Sequence, residues 1–401
     1  MLSKFFESRV RIQTLRADST GGLFEGFAQA LWETGYATVT ARRHLRAADH
    51  FIYWTHRQNM LVRGLNEQSL AGFVCHLNRC RCPHYAHVNQ DDLIRGVRVF
   101  LTYLQDGSMI TPRVAKPAES NLVLLTAFCQ WMRQQRGTCD ATLYNYSLPI
   151  RQLLRRLGEE PRRFDARRVR AFVLEKSRTC GWAAAKQCTT ALRMFVRFMI
   201  AEGHCAVGLE GAIPTLAHWR LAALPRYLQS EEIERLIASC DPASSVGRRD
   251  RAILLLLARL GLRAGDVVHL RLGDLDWKEA WIHVCGKGCR HTRLPLTQEV
   301  GQEIVTYLRK GRPRTNTDTL YVRCRAPFRA LGSHCAVSVI VDRALQRAKV
   351  VRPSRGAAHL LRHSIATSML RHGVSIEDIA AILRHRSVET TQIYYLPWGI
   401  M

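Results

Sequence analysis

Apolar residues recur at three- and four-residue intervals in stretch after stretch of this chain, and one segment, 281–296, reads differently. That patterning confines the chain to a mainly α fold with a small antiparallel β-sheet. Thr40–Trp54 and Gln90–Leu104 carry the helical period early in the sequence. Further on, Thr142-Leu143-Tyr144 leads past Pro149 into Ile150–Leu157, and Cys188–Ile200 sets Leu192, Phe195 and Phe198 on one face with Arg193 and Arg197 beside it. Such helices pack on one side and offer cations on the other; a merely solvated charged face is the competing reading. Ser230–Ser239 and Gly247–Leu260 are again helical, and then Trp281–Cys285, a Gly286-Lys287-Gly288 turn and Arg290–Leu296 read as a β-hairpin. Helices are predicted from there to the end. Ser375 with Asp378 three residues later predicts a capping box over the Ile376, Ile379, Ala380 and Leu383 stripe.

Punctuation divides the sequence. A length of 401 residues suits two to four domains. The first block, 1–118, reads as all-helical and closes at Gly107-Ser108 and the Pro112 to Pro117 segment. Residues 119–205 read as a basic helical bundle. Residues 206–225, with Gly211, Pro214 and Pro225, read as a linker, and 226–401 as a mostly α domain with the small sheet.

Charge narrows the function. Lys and Arg number 59 against 33 Asp and Glu, an excess of +26 that repels itself in a compact body unless a polyanion offsets it. Nucleic acid is the first partner to expect. A membrane is not: the apolar run Ala252–Ala258 is far too short to span a bilayer, and the opening Met1 to Arg9 turns charged before a signal-peptide core can form. Thirteen cysteines, an odd number scattered along the chain, read as reduced thiols in a cytoplasmic protein.

The polar residues of the last block are weak signals one at a time. Arg263 follows a very apolar helix that Gly261 ends, and Asp266 is placed to hold its guanidinium. Lys287 sits between two glycines at the hairpin tip, free to reach a partner or simply solvated. His359 and Arg362, at i and i+3, share a helical face, whereas His363 reads as a packed or solvent-facing histidine. His385 ends the capped helix, and periodicity does not choose between Tyr394 and Tyr395. Together, two arginines, a lysine, two histidines and a tyrosine with almost no carboxylate suit metal-free phosphodiester chemistry. Guanidinium forks offset charge on the nonbridging oxygens, a lysine or histidine protonates the departing oxygen, and a phenol attacks phosphorus.

Four pieces in this order, Gly261-Leu262-Arg263-Ala264-Gly265-Asp266, Gly286-Lys287-Gly288 with Arg293-Leu294-Pro295-Leu296, His359-Leu360-Leu361-Arg362-His363, and Leu383-Arg384-His385-Arg386-Ser387 leading to Thr390-Thr391-Gln392-Ile393-Tyr394, resemble the catalytic domain of tyrosine recombinases, the phage integrase family. The resemblance covers about 226–398, and residues 119–205 more loosely resemble that family's helical core-binding domain. It implies helical N-terminal domains and an α+β catalytic domain forming a clamp around double-stranded DNA. It implies Arg263 and Arg362 as clamps on the scissile phosphate and Lys287 as general acid toward the 5′ oxygen. His359 and His385 would handle protons and orient the phosphate, and Tyr394, nine residues after His385, would be the nucleophile of a 3′-phosphotyrosyl intermediate, which leaves Tyr395 structural. The implied activity is site-specific integration, excision or transposition of mobile DNA by a homotetramer, or a hetero-oligomer with related recombinases, at the bacterial nucleoid, with neither ATP nor metal. A type IB topoisomerase-like nicking and closing enzyme and a silent DNA-binding accessory protein are the alternatives. The first block exceeds the family's minimal two-domain plan and resembles the larger recombinases of bacterial transposable elements.

Within that block Cys75, His76, Cys80, Cys82, His84 and His87 crowd into thirteen residues. They are enough donors for zinc, but their spacing matches no common finger, so buried thiols and surface histidines, with no metal or other cofactor, are the expectation, and Arg79 and Arg81 offer phosphate contacts instead.

Overall fold

The computed structural model describes residues 1–17, 21–83, 85, 89–110, 122–215, 227–286, 290–351, 356–385, 387 and 391. Lys287, Tyr394, Tyr395, His84 and His87 lie outside them.

The first block is built from α1 (Arg9–Ala17), α2 (Gly21–Glu33), α3 (Thr38–Arg57), α4 (Glu67–Leu77) and α5 (Gln90–Asp106). Helices α3 and α5 meet closely at Gly96, where a Cβ would lie 2.5 Å from that of Ala47. Only a glycine hydrogen permits that approach. Phe24, Phe27, Phe51, Phe73 and Phe100 fill the core beneath.

The second block comprises α6 (Val123–Arg136), α7 (Asp140–Leu157), α8 (Ala166–Thr179) and α9 (Trp182–Ala201) around Phe128, Phe172, Leu192, Phe195 and Phe198. The α7 helix continues through Pro149, which forfeits one backbone donor, because Leu143, Ile150, Leu153 and Leu154 bury a continuous face. Arg197 is exposed, as expected of an offered cation. Arg193 is used differently: its guanidinium donates to the carbonyls of Ile213 and Pro214, both at 3.1 Å, and so ties the chain after α9 to the bundle.

The third block opens with α10 (Ser230–Ala238) and α11 (Ser245–Arg259), whose centre, Ala252 to Leu257, is fully buried. After α12 (Ala264–His269), strands β1 (Leu275–Asp276), β2 (Trp281–Gly286) and β3 (Arg290–Pro295) form an antiparallel sheet in the order β1-β2-β3. Ile282 pairs with Leu294 and both face the core, alongside buried Val284, while His283 and Arg293 point away. The Arg293 guanidinium lies 5.0 Å from the centre of the Trp281 ring. Helices α13 (Gln298–Lys310), α14 (His334–Arg347), α15 (Ala357–Arg371) and α16 (Ile376–Ile382) follow.

Helices do not run unbroken from the hairpin to the end. Residues 311–333 are irregular, held by the Arg312 guanidinium on the carbonyls of Thr317, Thr319 and Leu320 and by burial of Leu320, Tyr321 and Val322. At α16 the Ser375 hydroxyl accepts the Asp378 N–H at 3.1 Å, as expected of a cap. The reciprocal half of the box is replaced: the Asp378 carboxylate accepts from the Ser375 hydroxyl at 2.6 Å.

Contacts divide the chain into two compact units, residues 1–112 with 221–401, and residues 113–220. In the first unit the α2–α3 turn docks on the irregular segment. The Phe328 N–H donates to the Thr34 carbonyl at 3.0 Å, and the Phe328 ring fills the space a side chain at Gly35 would need.

Candidate active site

Arg263 owes its place to the end of α11. Gly261 takes a left-handed φ of +59°, which ends the helix. Leu262 then turns into the core and Arg263 becomes the residue preceding α12, with its backbone N–H donating to the Asp266 carboxylate at 3.1 Å. A Cβ at Gly261 would lie 2.6 Å from Leu383 Cδ2, so the α11 exit and the end of α16 touch here.

Arg362 sits inside α15 and is only 4% exposed. Its guanidinium donates to the carbonyls of Gly261 and Leu383. Arg263 donates to the next carbonyl along, that of Arg384, at 2.7 Å. The turn that closes α16 thus presents the consecutive carbonyls of Leu383 and Arg384 to guanidinium groups from two separate elements. Two fixed positive charges are gathered beside His385.

Asp266 meets a second arginine, to which the sequence did not point. Its carboxylate pairs with Arg384 at 2.6 Å, with both side chains under a tenth exposed. The Arg263 backbone N–H reaches the same carboxylate oxygen. Arg384 stands at the close of α16 with a left-handed φ of +54°, directly over the α12 start, so it reaches the buried carboxylate. That conformation costs a non-glycine residue about 1–2 kcal/mol. Arg384 was visible in the sequence only as a member of a motif; nothing local in it points to a partner 118 residues away.

His359 lies one turn before Arg362 on α15, with its ring centre 6.3 Å from that of His363. His385 follows α16, its Nδ1 2.7 Å from the hydroxyl of buried Thr391. Thr391 is a second residue that the sequence did not single out. All three imidazoles resist protonation. His385 is pushed down to about 4, first by burial and then by Arg362 and Arg263. His363 is pushed down to about 4 by burial, His359 and Arg362. The pKa of His359 is lowered by desolvation, then by Arg362 and Arg263. The same two cations act on both His359 and His385, so the four side chains share one electrostatic neighbourhood. They can cradle an oxyanion and leave neutral imidazoles to exchange protons with it. β2 ends at Gly286 and β3 begins at Arg290; Lys287 and Tyr394, the remaining expected members, fall outside the described residues.

A model of the phage integrase family matches residues 226–397. A putative integrase/recombinase, y4rA of Sinorhizobium fredii (strain NBRC 101917 / NGR234), is 32% identical over 374 residues, covering 92% of this chain and 89% of its own. The tyrosine recombinase XerD of Lacticaseibacillus casei is 28% identical over 278 residues, 68% of this chain and 92% of its own. Among solved structures, the XerH site-specific recombinase in a post-cleavage complex with palindromic difH substrate shares the fold, with a TM-score of 0.56 at 18% identity over 82% of this chain and 92% of that one. A lambda integrase dimer on a COC' core site aligns with a TM-score of 0.53 at 18% identity, covering 69% and 96%.

Proposed function

Because the chain belongs to the phage integrase family of tyrosine recombinases, we propose that Arg263 and Arg362 clamp a scissile DNA phosphate which Tyr394 attacks, Lys287 protonating the departing oxygen. The chain is a site-specific DNA recombinase. The observation that carries the residue assignment is the seating of two guanidinium groups on the consecutive carbonyls of Leu383 and Arg384, next to His385.

The chemistry balances without an external energy source. The phenolic oxygen of Tyr394 forms a bond to phosphorus as the bond from phosphorus to the 5′ oxygen breaks, and a proton reaches that oxygen from Lys287. The 3′ end stays attached as a phosphotyrosine ester. The 5′-hydroxyl of a partner strand then attacks the same phosphorus, and the tyrosine recovers its proton. One ester replaces another, so bond energy is conserved. Negative charge on the pentacoordinate phosphorus meets two guanidinium forks held in advance by backbone carbonyls, which spares reorganisation at the moment of reaction. His359 and His385, neutral near pH 7, accept and return protons and orient the phosphate.

Residues 119–205 bind the duplex through exposed cations such as Arg197, and the +26 excess supplies affinity through phosphate contacts. Four chains around two duplexes are the working assembly, acting on mobile DNA at the nucleoid. The test is strand exchange between two duplexes that carry sites recovered by selection from a random pool, without ATP or added divalent metal. Recombinant product is expected from the wild type, and Arg263→Ala or Arg362→Ala should lower its rate by on the order of a thousandfold. Relaxation of supercoiled DNA with no exchange between duplexes would overturn the reading.

A further inference from the structure

The cysteine and histidine cluster of the first block comes together in space in a way its spacing does not announce. Cys75 is exposed and stands apart. His76, on the last turn of α4, is joined by Cys80 and Cys82 from the segment after that helix and by His50, a buried residue from the middle of α3. Nothing near residue 50 in the sequence hints at this partnership. One ligand atom from each of the four lies within 4.8 Å of every other. His50 Nε2 is 3.4 Å from Cys80 Sγ, and His76 Nε2 is 3.3 Å from Cys82 Sγ.

We propose that His50, His76, Cys80 and Cys82 form a tetrahedral structural zinc site. With bonds of about 2.3 Å to sulfur and about 2.0–2.1 Å to nitrogen, the edges of such a tetrahedron run about 3.3–3.8 Å; the two sulfur-to-nitrogen pairs at 3.3 and 3.4 Å already stand near that length, and the remaining pairs lie within 4.8 Å. Two imidazoles and two thiols close the coordination sphere, so the site is a clip rather than a catalytic centre. Binding releases the two thiol protons. The surroundings fix the ligands: the His50 ring stacks on Tyr85 at 4.2 Å between centres, the Tyr85 hydroxyl reaches Asp49 at 3.0 Å, and the Cys82 N–H points at the Cys80 sulfur at 3.5 Å. Metal would thereby pin the stretch between α4 and α5 to α3. Arg79 and Arg81, which alternate with the two thiols, stay exposed on the outer side.

Metal analysis of the full chain, purified without a polyhistidine tag under reducing conditions, tests this. The expected content is about one zinc per chain, kept in Cys75→Ser and lost in the Cys80→Ser, Cys82→Ser double variant. On the wild type alone, so that no variant need fold, cobalt exchanged for zinc should give the absorption of a tetrahedral thiolate complex. A chelator strong enough to remove the metal should then expose Cys80 and Cys82 to alkylation. A reduced wild-type chain that neither contains nor takes up zinc, or zinc retained in full by the double variant, overturns the proposal. So does recovery of Cys80 and Cys82 as a disulfide in the native protein. None of these readouts depends on recombination, so the site stands or falls apart from the DNA chemistry.

Discussion

Asp266 carries more of the site than its modest place in the sequence suggests. It caps the Arg263 backbone and neutralises Arg384, whose carbonyl holds the Arg263 guanidinium. Removing one partner of a buried pair strands the other, so Asp266→Ala should lower stability by about 3–5 kcal/mol, read from urea unfolding. Wild-type stability after the substitution would show the pair to be idle. Histidine sets the acid limit. His363 keeps a pKa of about 4 in the folded chain against 6.5 when free, so the unfolded chain binds the proton first. The stability this contributes is complete above pH 6.5 and is lost as the pH falls from there to about 4. Unfolding midpoints of His363→Gln should therefore fall less steeply across that window than those of the wild type; parallel curves would contradict the assignment. Singly, Arg263, His359, Arg362 and His385 were weak signals, and it was the resemblance of their motifs to a family that gathered them into one expected site. Their partners were not legible, since the Asp266 and Arg384 contact depends on how α12 and α16 pack.

Long helices declare themselves through period, and the expected Gln90–Leu104 and Gly247–Leu260 stretches differ from α5 and α11 by only a residue or two at their ends. Short elements do not. β1 spans two residues, too few for any alternation to register, and residues 311–333 hold together through Arg312, bonds to distant residues such as Arg249 and Leu270, and non-local burial rather than a repeat. The most consequential element is the turn that closes α16, because the carbonyls of Leu383 and Arg384 there seat both arginines. Its position depends on Gly261, where a methyl group would press on Leu383 in a backbone conformation that favours glycine. Gly261→Ala should shift that turn, lowering strand cleavage at least tenfold (about 1.4 kcal/mol) while DNA affinity stays near that of the wild type. An equal loss of affinity and cleavage would place the effect elsewhere.

Across the whole molecule, buried apolar side chains gather within residues 2–110, 124–213 and 228–383, and the first and last of these spans belong to one compact unit. Charge predicted a nucleic-acid partner, and the family supplies the reaction. The docking of the α2–α3 turn against Phe328 had no sequence signal, because a glycine and a phenylalanine nearly 300 residues apart become neighbours only in the folded chain. The account rests on one phosphorus atom meeting both arginines and a single phenol. A duplex with a nick beside the cleavage point traps that step, since the released fragment diffuses away and the protein stays joined to DNA. Wild type and Tyr395→Phe should yield the covalent adduct on a denaturing gel, and Tyr394→Phe should yield none. An adduct that persists in Tyr394→Phe and vanishes in Tyr395→Phe would contradict the assignment.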